Sequence, residues 1–323
     1  MKIDNHSNSV FAHKQSGSEQ PHPHCKPQKK IRKQIHDYKT IETRGNGYGA
    51  ATLLASRGCK VIIADCVNAE KSRDEIIRKT QNPNISYKHL DLSSLNSVRE
   101  FCDDIKKSEK KIDILINNAG IGVSSKIITE DGLNYVMQVN FFGAFLLTHL
   151  LLEPLKAAEA ARVIFVSSIT VHAANLKLEN LNSTDYTLTS SHIKDFYANS
   201  KLCNIIAAQG FGRRLEKYGI TANSLDPLLV KTQIFRKTFE VFNNLLWKLL
   251  TVVGIALFGL NEVEAAETYL HLASSEKLDN KTGGHYAACS RMYKPRILKD
   301  EVFCEKIWSE TEKLVKLKPE EKL

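Results

Sequence analysis

A chain of 323 residues with 42% hydrophobic and 25% charged residues has the composition of an ordinary soluble protein, long enough for one large α/β domain or at most two. Its net charge of +9 is concentrated at the start, where Met1 to Thr40 hold eight Lys/Arg against three Asp/Glu; with no interleaved aromatics in that stretch, nucleic acid is not an expected partner. Seven cysteines, an odd number without a C-x-x-C pair, argue against a disulfide scaffold or a structural zinc site and favour a reducing, cytoplasmic setting.

The first forty residues carry five of the 11 histidines and almost no apolar periodicity, so residues 1–38 read as a disordered basic tail. His22, His24 and Cys25 cluster there, but such tails are commonly solvated polar sequence, and no metal site is expected. No apolar run near the start suits a signal peptide or membrane anchor, so secretion is not expected. From residue 39 to 323, short β-branched runs alternate with helical stretches, the pattern of a parallel sheet covered by helices on both faces. Strands are expected at Lys39–Thr43, Lys60–Ala64, Ile85–Leu90, Ile112–Ile116, Val163–Val166, Thr221–Ser224 and Gly284–Ala287. Helices are expected at Gly49–Ser56, Leu95–Lys107, Leu133–Ala158, Ile193–Lys217, Glu262–Ala273 and Asp300–Leu314.

The turn after the first strand holds Gly45, Gly47 and Gly49. Glycines between a strand and a helix let backbone amides approach a pyrophosphate at the positive end of that helix. Taken alone they would mark an ordinary turn. Asp65 ends the next strand about twenty residues on, where a carboxylate meets adenosine ribose hydroxyls and repels the extra phosphate of NADP. Cys66 adds no positive charge, so NAD(H) is the expected cofactor, with NADP(H) the alternative. Further along, Tyr197 and Lys201 stand four apart on one helix face. A phenol has an unperturbed pKa of about 10, and a nearby cation favours its ionised form. The pair is therefore a candidate acid/base unit for an alcohol oxygen.

With Leu90-Asp91-Leu92, Asn117-Asn118-Ala119-Gly120, Asn140, Ser168 and Tyr-x-x-x-Lys in this order, the chain resembles the short-chain dehydrogenases/reductases from about Lys39 to its end. ARVIFVSS, Leu178-Glu179-Asn180-Leu181, YANSKLCN and GGHYAACSRMYKP make it most similar to the retinol dehydrogenase-like branch. The resemblance implies a single Rossmann-type domain, a doubly wound parallel sheet flanked by helices, and hydride transfer between nicotinamide and an alcohol or carbonyl carbon. It implies that Ser168 binds the substrate oxygen and Tyr197 is the acid/base. Lys201 would lower the tyrosine pKa and hold the nicotinamide ribose, while Asn140 would position a water. Asp91 would contact the adenine; Leu92, Asn117, Ala119, Gly120, Pro227, Val230 and Thr232 would line the rest of the cofactor site. Seen singly, Asn140 would serve to kink a helix and Ser168 to end a strand.

The chain departs from the family pattern in three places. Arg44 replaces the first glycine of the loop and the loop is one residue short; the following helix is about two residues short; and Leu228 follows Pro227 where glycine is usual. Glu42 also interrupts the first strand. These changes are compatible with altered cofactor geometry, with lost activity as a binding or scaffolding relative, or with a spliced or mistaken N-terminal sequence. Residues 231–260 are rich in bulky apolar side chains. By resemblance they form a substrate lid, suited to a retinoid, steroid or isoprenoid alcohol. The uncharged run Leu249 to Leu260 is twelve residues long, below the about 17–25 of a spanning helix, so 239–260 is expected at most to touch a bilayer surface. A homodimer is compatible with the family.

Overall fold

The computed structural model describes residues 8–11, 37–39, 45–122, 124, 126–184, 190–228 and 262–323. Among them nine strands form one sheet: β1 (Asn8–Phe11), β2 (Asp37–Lys39), β3 (Lys60–Asp65), β4 (Ile85–His89), β5 (Ile114–Asn117), β6 (Arg162–Val166), β7 (Thr221–Leu225), β8 (His285–Ala287) and β9 (Ser290–Arg291). The helices are α1 (Asn46–Ser56), α2 (Glu70–Thr80), α3 (Leu95–Ser108), α4 (Tyr135–Met137), α5 (Gly143–Leu150), α6 (Leu152–Lys156), α7 (Ser190–Leu215), α8 (Glu262–Ser274) and α9 (Glu301–Leu314). β4, β3, β2, β5, β6, β7 and β8 lie side by side and parallel, and β9 turns back antiparallel.

Alternate residues of the central strands enter different cores. Ile62 and Ala64 of β3, Leu115 of β5, and Val163 and Phe165 of β6 join one buried cluster; Val61 and Ile63, Ile114 and Ile116, and Ile164 and Val166 join the other. A strand places successive side chains on opposite faces, so a run apolar at every position needs cover on both. α1 and α8 cover one face, and α3, α5, α7 and α9 the other. The fold is thus the parallel sheet covered on both faces that the sequence pattern implies, and the doubly wound Rossmann-type α/β domain that the family resemblance implies.

Several boundaries differ from expectation. The first strand is at Asp37–Lys39 rather than Lys39–Thr43, and residues 40–44, with Glu42 and Arg44, lie outside the described residues. The expected unstructured tail contains β1. This strand pairs antiparallel with Ile62 to Asp65 of β3, and Val10 also pairs with Ile116 of β5. β2 pairs with the earlier parts of the same two strands, Lys60–Ile62 and Ile114–Leu115. The position between β3 and β5 is therefore shared end to end by two segments. The span around His22, His24 and Cys25 lies outside the described residues. Cys59, Cys66, Cys102, Cys203 and Cys304 are not in disulfides, whereas Cys289 is disulfide-bonded, a cross-link that an odd cysteine count did not lead one to expect.

Candidate active site

α7 carries both Tyr197 and Lys201, and aromatic packing fixes it against the sheet. Phe211 stacks on Phe165 of β6, with ring centroids 5.7 Å apart, and meets Trp308 of α9 edge-on at 4.8 Å. Each such buried ring contributes about 1.5–3 kcal/mol of hydrophobic stabilisation. At the active end of the helix Lys201 is buried, with its Nζ donating to Val166 O at 3.2 Å and to Ala119 O at 3.5 Å. Nζ lies 5.8 Å from the Tyr197 ring centroid, as the four-residue spacing requires. Gly120 runs so close that a Cβ there would come within 2.7 Å of Nζ. Ser167, which sequence reasoning passed over, donates its hydroxyl to Lys201 O at 2.8 Å and ties this helix turn to the end of β6.

The expected helix Leu133–Ala158 is not one regular helix, being interrupted at Leu151 and widened around Asn140. Gln138–Phe142 is a π-helical turn between α4 and α5, a local widening often found at functional sites. The Asn140 amide accepts from Ile121 N at 2.8 Å and donates to Ile121 O and to Ser200 Oγ, both at 3.0 Å. Ser200 in turn donates to Tyr197 O at 2.8 Å. One side chain thus joins the loop after β5, the broken helix and the Tyr197 turn. Ser168 follows β6 and starts a 3-10 turn over Ile169–Ala173, accepting from Thr170 N at 3.3 Å; its side chain is half-buried.

The cofactor candidates surround the carboxyl ends of β3, β5 and β7. Helix α1 begins at Asn46, three residues earlier than expected. Gly47 and Gly49 are buried within it, and only Gly45 holds a non-helical, left-handed φ of 78°. No described side chain caps α1, and the buried Asn46 Oδ1 and Asn117 Oδ1 lack hydrogen-bond partners among the described residues; Asn117 Nδ2 donates to Thr148 Oγ1 at 3.0 Å. Asp65 is wholly buried and accepts from Val67 N at 2.9 Å, so in this structure its carboxylate ends a strand rather than facing open solvent. Asp91 Oδ1 takes both Ser93 N and Ser93 Oγ, at 2.8 and 2.7 Å. Leu92 has its side chain in the core, with Gly143 packed on its backbone. Ala119 is buried beside Lys201.

After β7 the chain reads Asp226-Pro227-Leu228. Leu228 has a φ of 63°, a left-handed conformation that costs a leucine about 1–2 kcal/mol. Asp226 Oδ1 accepts Leu228 N at 2.8 Å, and Asp226 N donates to Tyr286 O at 2.8 Å. Burial pushes the Asp226 carboxyl up from its ordinary pKa, opposed by the Leu228 N–H and by the charges of His172 and Lys201. Sequence reasoning missed Asp226; its only signal was an acid directly before the Pro-Leu departure. Val230, Thr232 and the expected lid 231–260 lie outside the described residues. No described helix is long and apolar enough to cross a membrane.

Residues 40–241 match the family described as short chain dehydrogenase. Retinol dehydrogenase 14 of Homo sapiens is 34% identical over 303 residues, covering 88% of this chain and 88% of that protein. Retinol dehydrogenase 12 of Bos taurus is 32% identical over 267 residues, covering 82% and 81%. Among solved structures, an uncharacterised protein from Mycobacterium Paratuberculosis superposes with a TM-score of 0.63 at 27% identity over 86% of this chain and 92% of that one. Levodione reductase superposes at 0.62, with 18% identity over 76% and 93%, a likeness of fold. With a Rossmann-type domain, a buried lysine beside a tyrosine on α7, and these relatives, the chain belongs to the short-chain dehydrogenase family, as a retinol dehydrogenase-like NAD(P)-dependent oxidoreductase.

Proposed function

We propose that the protein interconverts an apolar alcohol and its carbonyl compound, with Tyr197 as the proton donor or acceptor. The observation that carries this reading is the placement of the Lys201 ammonium 5.8 Å from the Tyr197 ring on a helix held by Asn140 and Ser167. A cation beside a phenol stabilises the phenolate, so the tyrosine hydroxyl passes its proton to a carbonyl oxygen, or takes one from an alcohol. Ser168 donates its hydroxyl to the same oxygen and fixes where it sits. Asn140 holds the loop at Ile121 and orders the water that exchanges protons with Lys201.

The residues fit a nicotinamide dinucleotide. The N-terminus of α1, without a side-chain cap, suits a pyrophosphate, and the orphaned Asn46 and Asn117 oxygens are acceptors for ribose hydroxyls. By the family resemblance Gly45, Gly47 and Gly49 would keep the backbone near the phosphates, and Asp65, Asp91, Leu92, Ala119, Gly120 and Pro227 would line the remainder, together with Val230 and Thr232, which lie outside the described residues. Lys201 is also placed to bind the nicotinamide ribose. When bound, the nicotinamide supplies or accepts the hydride. Asp65, followed by uncharged Cys66, favours NAD(H) over NADP(H). The apolar composition of 231–260, together with relatives named retinol dehydrogenases, supports a retinoid-like, steroid or isoprenoid substrate. It also supports peripheral contact of 239–260 with an intracellular membrane, and the family is compatible with a homodimer.

Replacing Tyr197 by Phe removes the transferable proton and nothing else. Turnover with all-trans-retinol and NAD is expected to fall about 10²–10⁴-fold while NADH affinity, read by fluorescence titration, stays within about twofold. Turnover equal to native would overturn the assignment. A second reading, a weakly catalytic relative acting as a binding or scaffolding protein, is favoured by one observation: Asn8–Phe11 lies in the sheet position that leads toward the glycine loop. That reading expects no saturable binding of NADH or NADPH. Tighter binding of NADH than NADPH supports the enzyme and its cofactor preference together.

A further inference from the structure

We propose that Asp226 is a positioning residue for the nicotinamide end of the cofactor site, acting through Leu228; this rests on the function proposed above. Three observations place it there. Asp226 directly follows the last residue of β7, and Leu225 accepts Ser167 N at 2.7 Å. This sets it beside the strand end whose Ser167 hydroxyl anchors Lys201. The backbone of Asp226 is fixed independently, because its N–H donates to Tyr286 O of β8 at 2.8 Å. Its side chain then reaches forward across Pro227 to accept Leu228 N at 2.8 Å, closing an Asx turn.

That turn explains an otherwise unfavourable residue. Leu228 holds a φ of 63°, which glycine adopts freely and a β-carbon opposes. Pro227 cannot itself donate a backbone hydrogen bond, so the contact between Asp226 and Leu228 restrains this corner from within. Asp226 is 4% exposed, so the acceptor is shielded from competing water. The turn thereby sets where the peptide between Pro227 and Leu228 stands relative to the Lys201 and Tyr197 rim. The side chain acts as a hydrogen-bond acceptor rather than as an acid. An amide at the same place should serve equally, and a glycine at 228 should make the tether dispensable.

The test uses the full chain and four variants, read by NADH titration, by kcat and KM for the cofactor, and by melting of the unliganded protein. Asp226→Ala is expected to weaken NADH binding about fivefold or more and to raise the cofactor KM more than it lowers kcat. Asp226→Asn and Leu228→Gly are each expected to stay within about twofold of native, and the double variant Asp226→Ala with Leu228→Gly to return to within about twofold. Should Asp226→Asn be as weak as Asp226→Ala, charge rather than the turn is what counts, and the inference is overturned. Failure of Leu228→Gly to rescue, with melting temperatures near native, overturns it also. A native protein that binds neither NADH nor NADPH overturns the proposed function and this inference with it; native binding with failed rescue overturns the inference alone.

Discussion

Two glycines on or beside α7 show how the identity of the neighbouring atom decides what a methyl group does. At Gly210 a Cβ would stand 2.4 Å from Cε3 and Cζ3 of Trp308. That ring is packed against Phe145, Phe211 and His149 and has nowhere to move. Gly210→Ala is expected to cost about 1–3 kcal/mol by overpacking, seen as a fall in Tm of roughly 2–4 °C per kcal/mol. An unchanged Tm would show that α9 can shift at little cost. At Gly120 the atom met is Lys201 Nζ, the far end of a flexible chain, at 2.7 Å. Gly120→Ala should therefore leave Tm nearly unchanged and lower kcat by displacing the ammonium from Tyr197. A large loss of Tm with normal kcat would contradict that division. Gly210 stands in the sequence as an ordinary glycine and Gly120 as the end of the Asn117-Asn118-Ala119-Gly120 run; what each touches is a tertiary fact.

At the scale of elements, the break in the helix that starts at Tyr135 matters most. Asn140 gives three hydrogen bonds from a nearly fully buried amide, two to Ile121 and one to Ser200. Asn140→Ala would leave the Ile121 N–H without its acceptor, at about 1–3 kcal/mol for the unmade bond. It is expected to lower both Tm and turnover, and Asn140→Asp, which keeps an acceptor for Ile121 N but sets a buried carboxylate oxygen against Ile121 O where Nδ2 donated, should lose at least as much stability; a Tm near native in both variants would mean these bonds are unimportant. The sequence pattern predicted one apolar helix here because periodicity registers burial, and the segment is buried throughout. A π-helical turn leaves no mark in that pattern. The first strand failed for another reason: three residues of β2 pair with β3 and β5, and β1 fills the remainder of the same position. Local propensity cannot say which of two segments a sheet will accept.

Across the whole molecule, buried histidines set the response to acid. His149 sits among Phe145, Phe211 and Trp308, its Nδ1 3.0 Å from Phe145 O, and burial brings its pKa down to about 4. His285 in β8, 3.0 Å from Ser224 Oγ, is likewise pushed down to about 4 by burial, with the charges of Lys294 and His172 adding to the effect. Unfolded, each would titrate near 6.5. Above that pH both states are neutral and the two groups have no effect. As pH falls from about 6.5 to 4 the unfolded chain binds protons that the folded protein refuses. Stability is then lost, up to about 3 kcal/mol for each histidine, levelling off below 4. Asp226, with its raised pKa, works in the opposite direction. Urea midpoints between pH 7 and 4 should therefore decline, and His149→Leu should flatten the decline. A midpoint in that variant as pH-dependent as native would assign the acid sensitivity elsewhere.

The sequence by itself determined the class of fold and the placing of Tyr197 and Lys201 side by side on one helix. Strands apolar at every position demand helices on both faces, and a helix with tyrosine and lysine four apart must set them side by side, whatever the details of packing. Those are consequences of backbone periodicity, which is local. Only the tertiary structure decided what depends on contacts between distant segments. It puts Asp65 and Leu92 wholly inside, joins Asn140 to Ile121 and Ser200, lets α1 begin at Asn46, and draws Asn8–Phe11 into the sheet. It also reveals Asp226 holding Leu228 in a glycine-like conformation. No single residue's propensity encodes these, because each is settled by which partner another part of the chain presents.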